Sequence, residues 1–151
     1  MDYLISRVQP GNSLPHHLLL LADENQRLID AYLPLSQVYL LTVDGQVQGI
    51  CLLQTIEKTG EIMNIAVEPV YQGRGLGKAL LHHAVGVARE QGLQRLIIKT
   101  GNSGIGQIAL YQRQGFDLVA VNYNYFLQTY VHPIWENNIQ CKHQLVFELI
   151  L

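Results

Sequence analysis

Three glycines at alternate positions, in Gln72-Gly73-Arg74-Gly75-Leu76-Gly77, sit between two strongly patterned stretches. Before them, residues 62–67 form an apolar run that reads as a buried strand, ended by Pro69, which cannot donate to a strand ladder. After them, Leu76, Ala79, Leu80, Ala84, Val87 and Ala88 recur at helical spacing, with Lys78, His82 and Arg89 on the opposite side. A strand that runs through bare glycine backbone into a helix start presents free amides to an anion, and glycines let that anion approach closely. The segment therefore points to a phosphate-bearing ligand. The spacing is G-x-G-x-G, so a dinucleotide fingerprint of the G-x-G-x-x-G type does not fit. A Walker loop does not fit either, because Gln72 and Ala79 stand where glycine and Ser/Thr are required.

The rest of the pattern sets this unit in an α/β chain with a mixed sheet flanked by helices. Residues 3–8 read as a first strand. Gly11, Asn12 and Ser13 offer turn and cap chemistry before Pro15, and residues 14–21 and 24–33 read as two helices stopped at Pro34. Residues 38–43 and 47–56 read as a hairpin around Asp44-Gly45, with Lys58-Thr59-Gly60 closing the second strand. Gly92 ends the long helix and residues 96–98 form a short buried strand, completing a strand–helix–strand unit. A shorter helix lies within residues 103–114 and ends at Gly115. Residues 116–126 and 144–151 read as closing strands.

At 151 residues the chain reads as one domain, residues 1–151, large enough for a real core. Hydrophobic residues make up 48% and charged ones 15%, a globular composition. The net charge of −2 comes without long runs of one sign, which argues against a nucleic-acid partner. The longest apolar run near the start, residues 18–22, is too short to span a membrane, and Met1-Asp2-Tyr3 lacks a basic leader. Cys51 and Cys141 form neither a disulfide framework nor a metal spacing. Cys51 reads as a buried small hydrophobe. The six histidines are scattered, with no zinc pattern, so no metal is expected; His83 reads as packing or surface. A reduced, cytoplasmic setting fits these features.

A-V-E-P-V-Y before the Q-x-x-G-x-G turn, and A-L-Y-x-x-x-G-F from Ala109 to Phe116, together resemble the GNAT superfamily of acyl-CoA-dependent N-acetyltransferases. The resemblance covers residues 61–116 closely, and the order of elements extends it over nearly the whole chain. It implies a mixed sheet that splays beside the central strand, acetyl-CoA as co-substrate, and a primary amine of a small molecule or peptide as acceptor. The pantetheine arm would pair with the backbone of Ile65, Ala66 and Val67 like an added strand. The pyrophosphate would rest on the turn formed by Gln72, Gly73, Arg74, Gly75, Leu76, Gly77 and Lys78. Asn102 is a further cofactor-side candidate, although it stands nine residues before Tyr111, farther than the family's usual asparagine.

Acetyl transfer requires an amine to lose a proton and a thiolate to gain one. By resemblance, Tyr111 is the acid that protonates the thiolate and Glu61 a base that acts on the amine, directly or through water. The oxyanion would meet a backbone amide near Ala66 or Val67. The aromatic segment 123–138 could wall the acceptor pocket or form a homodimer surface. A module that binds CoA without turnover, and a scaffold whose groove holds a partner peptide, remain alternatives.

Overall fold

The computed structural model describes residues 1–9 and 13–151; the turn expected at Gly11 and Asn12 lies outside them. Strand β1 (Tyr3–Val8) precedes helices α1 (His16–Ala22) and α2 (Gln26–Tyr32). Asn25 caps α2, its side chain accepting from the amides of Arg27 and Leu28, so α2 begins two residues later than the sequence pattern implies. Strands β2 (Gln37–Val43) and β3 (Gln46–Ile56) form the expected hairpin. Asp44 and Gly45 both take positive φ, 50° and 76°, as a two-residue turn matched to strand twist requires.

Strand β4 (Thr59–Val67) starts three residues before the expected 62. Gly60 belongs to it, because a Cβ there would press on Leu93 and Leu96. Helix α3 (Leu76–Glu90), strand β5 (Arg95–Gly101) and helix α4 (Ile105–Arg113) follow, then β6 (Asp117–Asn122), α5 (Tyr125–Thr129), the hairpin β7 (Ile134–Glu136) and β8 (Ile139–Cys141), and β9 (Gln144–Ile150). The main sheet runs β1-β2-β3-β4-β5-β9-β6. Its central strand is β4, and its one parallel pair is β4 with β5.

Helices cover both faces. On one face α3 and α4 bury Leu76, Leu80, Leu81, Ala84 and Tyr111 against Leu41, Cys51, Ile62, Ile98 and Phe147. The buried stripe of α3 includes Leu81 and Val85, whereas Ala79 and Val87 are only half-buried; the stripe is rotated slightly from the one read in the sequence. On the other face Leu18, Leu19, Ile29 and Tyr32 cover Val38, Leu40, Ile50, Leu52 and Ala66. Each leucine or isoleucine buried this way contributes about 1.5–3 kcal/mol relative to exposure. No helix among the described residues is long and apolar enough to cross a membrane.

Within β4 the register slips by one residue. Leu52 faces Asn64 and Leu53 faces Ile62, leaving Met63 as the extra residue of a bulge. Before the bulge Gly60 and Ile62 face α3 while Met63 packs toward α1 and α2. After it Asn64 and Ala66 turn to the α1–α2 side and Ile65 and Val67 to the α3 side. Bulges of this kind commonly sit where a strand must re-aim its side chains beside a site.

Candidate active site

The parallel ladder between β4 and β5 is short. It joins Thr59, Gly60, Glu61 and Ile62 to Arg95, Leu96, Ile97 and Ile98 and stops there. Beyond that point β4 continues to Val67 and β5 to Gly101, and β5 stays paired with β9 throughout. The two strands thus diverge into a wedge whose apex lies beside Met63 and Lys99. Ile65, Ala66 and Val67 form the β4 wall of its wide end. Backbone groups that leave a ladder need other partners, and an extended ligand can supply them.

The glycine turn lies at the wide end. The Gln72 side chain donates to the Val67 carbonyl at 2.9 Å, which fastens the turn to the strand it follows. Gly73 has φ 76°, and Gly75, the residue just before α3, has φ 83°; both are left-handed positions that glycine takes without strain. α3 has no side-chain cap and no acidic residue in its first turn. Its first helical bond is donated by Ala79 to Gly75 at 3.0 Å, so the amides of Leu76, Gly77 and Lys78 have no partner within the helix. A Cβ built on Gly77 would meet nothing within 4 Å. Packing therefore does not require glycine there, and the bare backbone leaves this turn open to close approach. The Arg74 guanidinium lies 5.1 Å from the centre of the Tyr71 ring, and Lys78 is exposed on the same turn.

Tyr111 projects from α4 into the core, 4% exposed, with its ring 5.7 Å from Phe147 and 6.3 Å from Phe116. Burial, with a smaller contribution from the neighbouring Cys51 thiol, pushes its hydroxyl well above the ordinary phenol value. The group therefore carries its proton throughout the neutral range.

Glu61 lies on the other face, the side of Met63. Its carboxylate pairs with the Lys99 ammonium at 3.4 Å, both side chains about a third exposed. In register Glu61 stands opposite Ile97, two residues before Lys99 on β5, so the pair spans the strands just where the ladder ends. Glu61 borders a hollow of about 100 Å³ with Gln54, Ile56, Thr59 and Met63. A larger hollow of about 320 Å³, beside His82, Arg89 and Gln114, lies along α3 and brings no acid and base together.

Above the face that carries Glu61 runs a hydrogen-bond chain that the sequence does not announce. Asn64, at the bulge, donates to the Leu19 carbonyl at 2.9 Å and to the Tyr32 hydroxyl at 3.0 Å. Tyr32 donates to Asp23 at 3.1 Å and Tyr130 to Asp23 at 2.5 Å. Burial first, and then the Asp23 carboxylate among smaller causes, holds both phenols well above their ordinary range. Tyr125, raised chiefly by burial, feels the charges of both Asp23 and Glu61. In the segment 123–138, Tyr125, Phe126 and Tyr130 cluster together, while Val131 and Trp135 are exposed.

The carboxamide of Asn102 is spent on the chain itself. Its oxygen accepts from the amides of Lys142 and His143, and its nitrogen donates to the Gln140 carbonyl, all within 3.1 Å. Ser103 contacts Glu136, and Asn137 donates to the Ser103 carbonyl. The stretch 101–104 is thus the mooring of the β7–β8 hairpin.

Comparison with known proteins agrees with this geometry. The family model of the GNAT acetyltransferases matches residues 8–116. The uncharacterized N-acetyltransferase YvbK of Bacillus subtilis (strain 168) is 40% identical over 128 residues, 84% of this chain and 83% of its own. The solved structure of the IAA acetyltransferase from Bacillus cereus ATCC 14579 has 40% identity and a TM-score of 0.95, covering 99% of this chain and 100% of its own. A GNAT family acetyltransferase from Elizabethkingia anophelis, solved with acetyl-CoA bound, has 37% identity and a TM-score of 0.95, covering 99% and 98%. With the splayed β4–β5 pair, the bare helix start and the matched family model, the chain belongs to the GNAT family and is an acyl-CoA-dependent N-acetyltransferase.

Proposed function

We propose that the protein transfers the acetyl group of acetyl-CoA to a primary amine carried by a small molecule or a peptide. The observation that carries this reading is the wedge between β4 and β5, with helix amides that have no partner within the helix at its wide end and the Glu61–Lys99 ion pair at its apex. The pyrophosphate would rest on the amides from Gly73 to Lys78, with Arg74 and Lys78 adding positive charge at the favourable end of the helix dipole. The pantetheine arm would lie along Ile65, Ala66 and Val67 as an extra strand and point its thioester toward the apex. The acceptor would enter from the opposite face, the side of Glu61, Tyr125 and Tyr130.

The chemistry follows from where the groups stand. Glu61 would accept the proton of the acceptor ammonium, directly or through one water. The free amine would attack the thioester carbonyl, and a backbone amide near Ala66 or Val67 would hold the oxyanion. Tyr111, approaching from the α4 face, would protonate the departing thiolate. Acid and base thus serve the two sides of the wedge and do not compete for one proton. Asn102 enters this scheme as a support of the hairpin rather than as a cofactor ligand.

Release of free thiol from acetyl-CoA, followed across a panel of amines, tests the reading. Turnover with at least one primary amine supports it. Tight acetyl-CoA binding with no thiol release across the panel would favour a CoA-binding regulatory module instead. Replacing Glu61→Gln should lower kcat/KM by about 10²-fold or more near neutrality, the range of general base catalysis. The loss should shrink as pH nears the acceptor's own pKa, where free amine is already abundant. Parallel, equal profiles for the two proteins would remove Glu61 from the chemistry.

A further inference from the structure

We infer that Lys99 is an internal acetyl acceptor, a site at which the protein acetylates itself. The inference rests on the proposed reading of the wedge and of Glu61. Three observations converge on it. The ladder ends at Ile62 and Ile98, so Lys99 is the first β5 residue past the apex. The five β4 residues from Met63 to Val67 span about 16 Å at the usual strand rise. A cofactor arm anchored beyond Val67 and laid along this wall runs toward the apex. Finally, the Lys99 ammonium lies 3.4 Å from the Glu61 carboxylate, where an acceptor ammonium must stand if Glu61 is its base.

Of the four lysines in the chain, Lys58, Lys78 and Lys142 are exposed and Lys99 is partly buried. Among the described residues Lys99 is the lysine whose ammonium has a carboxylate within 4.0 Å. Exposure and site geometry therefore rank the lysines in opposite orders. Chemical acetylation by bulk acetyl-CoA would favour the three exposed amines, whereas delivery through the wedge would favour Lys99.

In the reaction, Glu61 takes one proton from the ammonium of Lys99. The nitrogen lone pair forms a bond to the thioester carbonyl carbon. The carbon–sulfur bond then breaks and its electron pair leaves on sulfur. Of the two protons the nitrogen loses, one ends on the thiol of CoA and the other passes to solvent. The products are Nε-acetyl-Lys99 and free CoA. The product side chain is neutral, so it no longer offsets the charge of Glu61.

The test incubates the purified full chain with acetyl-CoA and no added amine, and follows acetylation of each lysine by peptide mass spectrometry. Acetyl-CoA affinity is measured separately by calorimetry. Lys99 should be labelled first, at least tenfold faster than Lys58, Lys78 or Lys142. Glu61→Gln should slow labelling of Lys99 by about 10²-fold, the loss typical of a missing general base, and leave the other three lysines unchanged. Labelling that follows exposure, or a protein that binds acetyl-CoA and leaves Lys99 unmodified, overturns the inference and leaves the wedge reading standing. Absence of acetyl-CoA binding overturns both.

Discussion

Replacing Tyr111 by phenylalanine removes one oxygen from a ring held between Phe116 and Phe147. The packing survives, so the melting temperature and acetyl-CoA affinity should change little. If the phenol protonates the departing thiolate, kcat should fall by about 10²-fold or more. Wild-type turnover in a folded Tyr111→Phe protein would assign the ring to packing alone. At this scale the sequence was most informative where a group's role is local. Tyr111 and the three glycines stand in contiguous motifs with a physical meaning of their own. Lys99, Asp23 and Tyr130 could not be found that way, because their partners are remote: Tyr130 reaches Asp23 across 107 positions of chain. Asn64 did leave a trace, as a polar residue inside the apolar run 62–67, but nothing local says which groups it bonds.

The start of α3 allows stability and binding to be moved in opposite directions. Gly77 has open space around its missing Cβ, and an acidic side chain in a first helical turn favours the helix by about 0.3–1 kcal/mol. Gly77→Asp should therefore be at least as stable as the wild type to chemical denaturation. Its acetyl-CoA affinity should drop at least tenfold by calorimetry, because the same charge repels a pyrophosphate on those amides. Unchanged affinity would remove the turn from the cofactor site. The mooring of the β7–β8 hairpin predicts the converse pattern. Asn102→Ala strips partners from the amides of Lys142 and His143, a loss of about 1–3 kcal/mol, with acetyl-CoA affinity unchanged. Stability measured alongside calorimetry separates a clamp from a ligand residue. The elements that sequence reading misplaced lie in this C-terminal region. Residues 116–126 read as a single closing strand, but the strand stops at Asn122, and Asn124 turns left-handed at φ 60° to open α5. β7 and β8 are three residues each, too short to show a period. Their one local signal is Asn137-Asn138, both at positive φ, a two-residue hairpin pair.

For the molecule as a whole, buried ionisable groups set both edges of its pH range. Desolvation lowers the pKa of His83, against a smaller opposing pull from Glu90; its ring lies edge-on to Tyr39 at 4.9 Å. The unfolded chain takes up this proton near pH 6.5 before the folded chain does, so stability should fall as pH drops from about 6.5 toward 5. On the alkaline side burial pushes the Cys51 thiol up to about 12, and Tyr32, Tyr111 and Tyr130 are also held high. The unfolded chain releases these protons first, so stability should decline as pH rises above about 8.5. Denaturant midpoints from pH 5 to 11 should trace a plateau with two falling sides. His83→Gln should flatten the acid side between 5 and 6.5, and an identical slope in that variant would exclude His83 as its source.

The extra residue at Met63 has a consequence for how this chain can change length. In an uninterrupted strand, residues 61 and 65 would look the same way; here they look to opposite sides of the sheet. Losing Met63 itself would restore strict alternation and leave every other β4 residue on its present face. Losing one residue anywhere else in the strand, with the bulge kept, would turn one half of β4 over. Either Glu61 would then be thrust among the leucines beneath α3, stripped of Lys99 at a cost of several kcal/mol, or Ile65 and Val67 would leave the core. Drift in length is open at this one position of the strand and closed at its neighbours.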